Sequence, residues 1–229
     1  MHPTALNNCK LFFDNYSEFF NMDNIKVVEI GSQDVNGSLR SVCPANFSYL
    51  GLDFVEGKGV DVVLDDPYSL PLDNESVDIV LSSSCFEHSE MFWLVFLEIM
   101  RVLKPSGLFY LNAPSNGYFH RYPVDCWRFY PDSGSGLVKW AERNNIPAGL
   151  VESYISNQHL DLWNDFVAVF IKNKDMMSRY KKRIINSFDD FKNGVLYGHD
   201  EFFNKSDLPE DRLKLLAINK IINNEIKIL

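Results

Sequence analysis

The chain has 229 residues, 46% of them hydrophobic and 23% charged, which suits a soluble globular protein of one α/β domain with an extension. Its 31 acidic residues outweigh 22 basic ones for a formal net charge of −9, the wrong sign for neutralising a nucleic-acid backbone. A nucleic-acid partner is therefore not expected.

The start, Met1-His2-Pro3-Thr4, lacks the basic region and apolar core of a signal peptide. Leu11, Phe12, Tyr16, Phe19 and Phe20 then recur at helical spacing and predict a helix over 4–24, a cap on the sheet domain. Strands are predicted at Lys26–Ile30, Ser48–Asp53, Val60–Leu64 and Val77–Ser82, the third after Gly57-Lys58-Gly59 and the fourth after the turn at 72–75. Ser89–Leu103 reads as a helix with Ser89 as its amino cap and Glu98 and Arg101 on its surface. The stretch Met91–Met100 within it is interrupted by Glu98 and is too short to span a bilayer, so no membrane contact is expected. Lys104-Pro105-Ser106-Gly107 ends that helix and Leu108–Asn112 is a fifth strand. Val151–Ile155 and Asp165–Lys172 are the last two strand candidates.

Strands alternating with helical stretches imply an α/β fold, a Rossmann-like doubly wound, mostly parallel sheet over residues 25–174. Beyond Lys174 the acidic excess disappears and the sequence becomes helix-prone, ending in Leu213, Leu215, Leu216, Ile218, Ile221 and Ile222. This segment, 175–229, is expected to be a helical extension that packs on the core, swaps into a homodimer or meets another protein. Cys9, Cys43, Cys85 and Cys126 have neither metal-ligand nor paired spacing, so free thiols in a reducing cytoplasm are expected, with no bound metal.

The chemistry is concentrated in residues 27–53. A β-branched run carrying Glu29 meets a glycine turn at Gly31, and a second apolar run stops on Asp53. In a parallel sheet this arrangement puts a nucleoside at the carboxyl ends of two neighbouring strands. The glycine lets the backbone approach the ligand, and the Asp53 carboxylate can accept both hydrogen bonds of a ribose diol. The spacing Gly31…Gly37 is not the G-x-G-x-x-G of a dinucleotide fold, which disfavours a nicotinamide cofactor. A carboxylate at Glu29 suits a cationic ligand better than an anionic one.

This stretch resembles motif I and its partner acidic residue in class I S-adenosylmethionine-dependent methyltransferases. Further pieces follow in that family's order: Leu64-Asp65-Asp66-Pro67, then Val77 to Glu87-His88, then Arg101-Val102-Leu103-Lys104-Pro105-Ser106-Gly107-Leu108. The resemblance covers about residues 25–172. It implies S-adenosylmethionine as cofactor, S-adenosylhomocysteine as product, and contacts from Glu29, Gly31, Ser32, Gln33, Asp53, Asp65, Asp66 and Ser83. Asp65 would take the adenine amino group and the Asp66 amide the ring, because Pro67 has no N–H. Gln33 departs from the pattern, since many members have glycine there.

Residues 116–132 form a second informative segment, with Tyr118, His120, Arg121, Tyr122, Asp125, Trp127 and Arg128 in one short loop. Arginines and rings together can grip an anionic or cyclic acceptor. Equally, Asp125 and Arg128 can form a structural ion pair while the aromatics close the core. The Tyr-Pro-x-Asp-x-Trp-Arg-Phe-Tyr-Pro pattern resembles small methyltransferases of bacterial capsule and surface-polysaccharide pathways. That resemblance implies O-methylation of a small phosphorylated or carbohydrate acceptor, such as a capsule sugar or phosphoramidate precursor, held by Tyr118, Arg121, Tyr122, Trp127 and Arg128. His120, Asp125 and His88 are the candidate bases for a neutral hydroxyl, and His159, which stands before a strand, could also face the site. The competing reading is a binding or scaffold subunit that keeps the fold without turnover.

Overall fold

The computed structural model describes residues 2–20, 24–157, 163–207 and 210–225, the side chains of 210–214 excepted. Its frame is one eight-stranded sheet in the order β3-β2-β1-β4-β5-β7-β6-β8. The strands are β1 Lys26–Ile30, β2 Ser48–Asp53, β3 Val62–Val63, β4 Val77–Ser83, β5 Leu103–Pro114, β6 Gly149–Ser156, β7 Asp165–Ile171 and β8 Phe191–Leu196. The first five run parallel, and β7, β6 and β8 add on antiparallel. The α/β fold with a mostly parallel sheet is as the sequence implied.

Burial on both faces explains the apolar runs. Along β5, Leu108 and Tyr110 enter one core while Phe109, Leu111 and Ala113 enter the other; β7 divides the same way. A strand covered on both sides reads as continuous hydrophobic sequence rather than as alternation. On one face lies α1, Pro3–Tyr16, whose Cys9, Phe12, Phe13 and Tyr16 form a stripe at i, i+3, i+4 and i+7. On the other lie α2, Phe92–Val102, and α3, Ser133–Arg143.

Several boundaries differ from expectation. The first helix ends at Tyr16 and gives way to a 3-10 turn over Ser17–Phe19, and it covers one face of the sheet; residues 21–23 lie outside the described ones. Helix α2 starts at Phe92, not Ser89, because Phe86–His88 form a separate 3-10 turn that Ser89 terminates. Lys104 to Gly107 bulge out of β5, whose pairing with β4 jumps from Val77↔Leu103 to Ile79↔Leu108. The surface positions of α2 behave as read: Arg101 pairs with Glu98 at 2.8 Å and donates to the carbonyls of Leu70 and Leu72, tying the helix to the β3–β4 connection.

The expected helical character of 175–229 is corrected over its first half. Lys174–Arg179 and Ile184–Asn186 make short 3-10 turns and Phe191–Leu196 form β8, which extends the sheet beside β6. The last helix is present as α4, Glu210–Ile222, with Leu215, Leu216, Ile218 and Ile222 exposed. Among the described residues, no helix is long and apolar enough to cross a membrane.

The order of strands reverses between β1 and β4, since β1 leads to β2 on one side while β4 flanks it on the other. A ligand crevice opens outside the carboxyl ends at such a switch point. The candidate site lies there.

Candidate active site

A cavity of about 260 Å³ lies beyond the ends of β1, β2 and β4. Glu29, Gly31, Gln33, Asp53 and Ser83 line it, together with apolar side chains from Phe54, Leu64, Pro67, Tyr68, Phe86 and Val95. His88 and Tyr122 complete its outer wall with Pro123 and Val124.

The floor is built by backbone geometry at the end of β1. Gly31 has φ +80°, a left-handed conformation that only glycine adopts without strain, and a Cβ there would come within 2.6 Å of Cys85 Cβ. The amides of Gly31 and Ser32 both donate to Leu52 O, at 2.9 and 3.1 Å, so the turn is clamped to the end of β2. That clamp brings Gln33 N to 3.1 Å from Asp53 Oδ2, and Val55 N lies 3.2 Å from Asp53 Oδ1. The carboxylate is thereby fixed by one backbone donor on each oxygen, and each oxygen keeps a lone pair for another donor. Ser32 lies beneath, buried, with its hydroxyl against Gly51 rather than in the cavity.

Glu29 is buried below the turn and accepts a 2.6 Å hydrogen bond from Tyr49 Oη. Burial pushes its carboxyl up to about 7, against the pull of Tyr49 and Arg40. Ser83, at the end of β4, is also buried, and its Oγ has no hydrogen-bond partner. An orphaned hydroxyl, a glycine cradle with no room for a side chain and a pre-oriented carboxylate at the end of β2 fit a nucleoside-bearing cofactor. Asp65 and Asp66 do not join this set. Both are exposed outside the rim, where Asp66 caps the amide of Tyr68 at 2.9 Å, and Leu64, Pro67 and Tyr68 line that corner instead.

The loop after β5 closes the other side. Tyr122 Oη donates to Gln33 Oε1, bridging the loop to the glycine turn. This contact gives Gln33 a role that glycine could not fill. Cys126 N and Trp127 N both donate to Glu87 O, at 2.8 and 3.2 Å, anchoring the loop to the exit of β4. Trp127 packs on Phe92 and Trp93 and donates to Ser89 O, so its ring secures the loop outside the cavity. Tyr118 is exposed, with its ring against Trp163. Arg121 is exposed, and its Nε donates to Pro123 O.

Asp125 and Arg128 form a bidentate pair at 2.6 and 2.9 Å, and Arg128 also donates to the carbonyls of Tyr118 and Trp127. These bonds hold the Asp125 carboxyl down at about 2, so at neutral pH it is a very weak base. In this structure Asp125 and Arg128 are thus engaged with each other and with carbonyls of their own loop. Together they brace the loop, as the ion-pair alternative had it.

The two remaining base candidates come together. The rings of His88 and His120 lie 4.9 Å apart, edge to face. His88 Nδ1 is 2.5 Å from Val124 O, which fixes that nitrogen as the N–H and leaves Nε2 a lone pair. Burial lowers the His88 pKa, so this imidazole stays neutral at physiological pH. His120 lies off the cofactor cavity, with Nδ1 at 3.2 Å from Tyr118 O. His159 lies outside the described residues. Sequence reasoning singled out neither Cys85, Phe54, Tyr68 nor Val95 as cavity wall. Phe54, Cys85 and Tyr68 stand one to four residues beyond a predicted strand end, while Val95 lies inside the predicted helix 89–103 and carried no such signal.

Residues 34–111 match a family model described as a methyltransferase domain. The chain is 30% identical over 130 residues to phthiotriol/phenolphthiotriol dimycocerosates methyltransferase 1 of Mycobacterium ulcerans, a match over 55% of this chain and 41% of that protein. It is 37% identical over 96 residues to the phthiotriol/phenolphthiotriol dimycocerosates methyltransferase of Mycobacterium tuberculosis, over 40% of this chain and 32% of the relative. The chain thus spans well under half the length of these curated relatives. Among solved structures, it resembles the Burkholderia thailandensis 1,6-didemethyltoxoflavin-N1-methyltransferase with bound 1,6-didemethyltoxoflavin and S-adenosylhomocysteine. That likeness has a TM-score of 0.58 at 14% identity, over 74% of this chain and 78% of the other. The fold is the Rossmann-like class I methyltransferase fold.

Proposed function

We propose that this chain is an S-adenosylmethionine-dependent methyltransferase acting on an oxygen of a small acceptor. The observation that carries the proposal is the cavity at the β1–β4 switch point, with Asp53 pre-oriented by the amides of Gln33 and Val55. The match of residues 34–111 to a methyltransferase domain supports it independently. When bound, S-adenosylmethionine supplies a methyl group on a sulfonium, already activated for displacement.

In this reading the Asp53 carboxylate accepts the ribose hydroxyls, and the apolar wall of Phe54, Leu64 and Tyr68 takes the adenine. Gly31 allows the backbone to approach the methionine part, and Ser83 Oγ gains a partner there. Glu29 places negative charge below the cationic end of the cofactor. Its raised pKa then couples cofactor binding to loss of a proton, because the cation favours the ionised carboxyl. Tyr122 and Gln33 close the outer wall and exclude water. Positioning of acceptor and methyl can supply roughly 7–11 kcal/mol, so few chemical groups are required. His88, neutral and at the cavity wall, is the group best placed to take a proton from an acceptor hydroxyl.

The acceptor we propose is small and hydroxylated, a carbohydrate or phosphorylated molecule such as a capsule sugar or phosphoramidate precursor. Arg121 supports an anionic group, and the sequence pattern of the 122–131 loop supports the carbohydrate class. A second reading, a lipid hydroxyl, draws support from the exposed Tyr118 and Phe119 on the same loop and from the names of the two mycobacterial relatives. The test is S-adenosylhomocysteine release with purified protein against panels of sugars, sugar phosphates and long-chain diols. Turnover with the first two panels is the expected result; turnover only with the diols would replace the acceptor class, and none with any panel would count against methyl transfer.

A further inference from the structure

The 3-10 turn at the exit of β4 and the loop after β5 bring together two imidazoles and a carboxylate whose arrangement the cofactor cavity does not explain. Each of Glu87, His88 and His120 offers a ligand atom, and these atoms lie within 4.8 Å of one another. Glu87 is 1% exposed, yet its Oε2 has no hydrogen-bond partner, and its Oε1 lies 3.7 Å from His88 Nε2. A buried carboxyl oxygen without a donor costs folding free energy unless something completes it. Arg128, the neighbouring guanidinium, is engaged by both oxygens of Asp125. The nearby Asp165 is also 1% exposed; its Oδ2 lies 3.4 Å from His2 Nε2, so it is engaged elsewhere and offers Glu87 no donor.

The imidazoles are oriented as ligands. His88 directs Nδ1 at the Val124 carbonyl and His120 directs Nδ1 at the Tyr118 carbonyl, which leaves Nε2 of each ring as the lone-pair donor. Backbone carbonyls that fix the tautomer in this way are the usual outer partners of metal-binding histidines. We propose that Glu87, His88 and His120 bind a divalent transition-metal ion of the zinc type, with a fourth position open toward the cofactor cavity that His88 lines. Two imidazoles and one carboxylate favour such an ion over magnesium, which prefers oxygen ligands. Ligands about 2.0–2.2 Å from a tetrahedral ion lie roughly 3.4 Å apart, so the set closes by a contraction of at most about 1.4 Å. The His120 main chain is held by Asp125 Oδ2 at 2.7 Å, so the movement falls to its partly exposed side chain.

An ion there would present its open position to an acceptor oxygen and lower the pKa of a bound hydroxyl. In that state His88 and His120 act as ligands and the ion replaces them as the means of deprotonation. This consequence for the acceptor rests on the methyl-transfer reading; metal binding itself does not.

The test uses the tag-free full chain, stripped with chelator and without S-adenosylmethionine. It is titrated with Co²⁺ and followed by visible absorption, then challenged with Zn²⁺ and, separately, Mg²⁺. The expected result is one equivalent of Co²⁺ with ligand-field bands, displaced by Zn²⁺ and untouched by Mg²⁺. Binding should weaken at least tenfold in both His120→Ala and Glu87→Gln. His120 is partly exposed and off the cofactor cavity, so unchanged S-adenosylhomocysteine binding and melting in His120→Ala show that the fold survives. Should His120→Ala melt early, His120→Gln is the substitute. No stoichiometric uptake, or uptake undiminished in both variants, would overturn the proposal. Co²⁺ uptake in a protein that binds no S-adenosylhomocysteine would leave the metal site standing and sink the methyl-transfer reading alone.

Discussion

Replacing Gly31 with alanine separates two reasons for glycine at the end of β1. The first is backbone strain, because φ is +80° and a Cβ in the left-handed region costs about 1–2 kcal/mol. The second is contact, because the new methyl would lie 2.6 Å from Cys85 Cβ and 2.7 Å from Cys85 Sγ, while Cys85 Cα stays at 3.8 Å. Overpacking of this kind costs about 1–3 kcal/mol. The sum, roughly 2–5 kcal/mol, corresponds to a fall in Tm of about 4–20 °C for a chain of this size. Cys85→Gly removes both offending atoms, so Gly31→Ala made in that background should cost only the strain, about 1–2 kcal/mol. Urea unfolding of the four proteins in this cycle measures both parts. A Gly31→Ala protein as stable as the parent, or a cost unchanged by Cys85→Gly, would refute the geometry assigned to the turn.

Glu29→Gln tests the buried carboxyl under the cofactor. Its folded-state pKa of about 7 lies above the ordinary 4.5, so its stability contribution is full below about pH 4.5 and is lost as pH rises through 7. The variant should therefore match the parent near pH 4.5 and exceed it by a few kcal/mol at pH 8, read from urea midpoints; a pH-independent difference would contradict this. The parent should also bind S-adenosylmethionine more tightly as pH rises from 6 to 8, a gain that Glu29→Gln abolishes. Asp125→Ala should destabilise by about 2 kcal/mol, less than the 3–5 for a fully buried pair because Arg128 is partly exposed. The parent's share of that stability is present above about pH 4 and disappears as pH falls through 2. Hydrogen exchange should show residues 118–128 deprotected in this variant, and unchanged protection would contradict a bracing role.

Much of the frame was legible because its signals are local. Lys26–Ile30 and Ser48–Asp53 begin and end where periodicity and terminal acidic residues place them, and Asp53 reached the cavity from sequence order alone. What escaped depends on tertiary contacts. Helix α3 opens with Ser133-Gly134-Ser135-Gly136, and each glycine opposes helix by about 1 kcal/mol relative to alanine. Burial of Leu137 and Ala141 against the sheet overrides that preference. Strand β8 holds Gly194 and a left-handed Asn193, so no alternation announces it; pairing with β6 makes it a strand. At the site, Asp65 and Asp66 matched a motif but stand outside the rim, since the turn at Pro67 directs Tyr68 inward instead. The Glu87-His88 pair was visible as a dipeptide. Its meeting with His120 was not, because 31 residues, with helix α2 and strand β5 among them, separate His88 from His120.

The central claim is that the cavity at the ends of β1, β2 and β4 holds S-adenosylmethionine through Asp53. Calorimetric titration of the purified chain with S-adenosylhomocysteine, with NAD as control, tests it most directly. Saturable one-to-one binding of S-adenosylhomocysteine alone, weakened at least tenfold in an Asp53→Ala protein that still melts cooperatively, is the predicted result. Absence of binding, or affinity undiminished by Asp53→Ala, would contradict it.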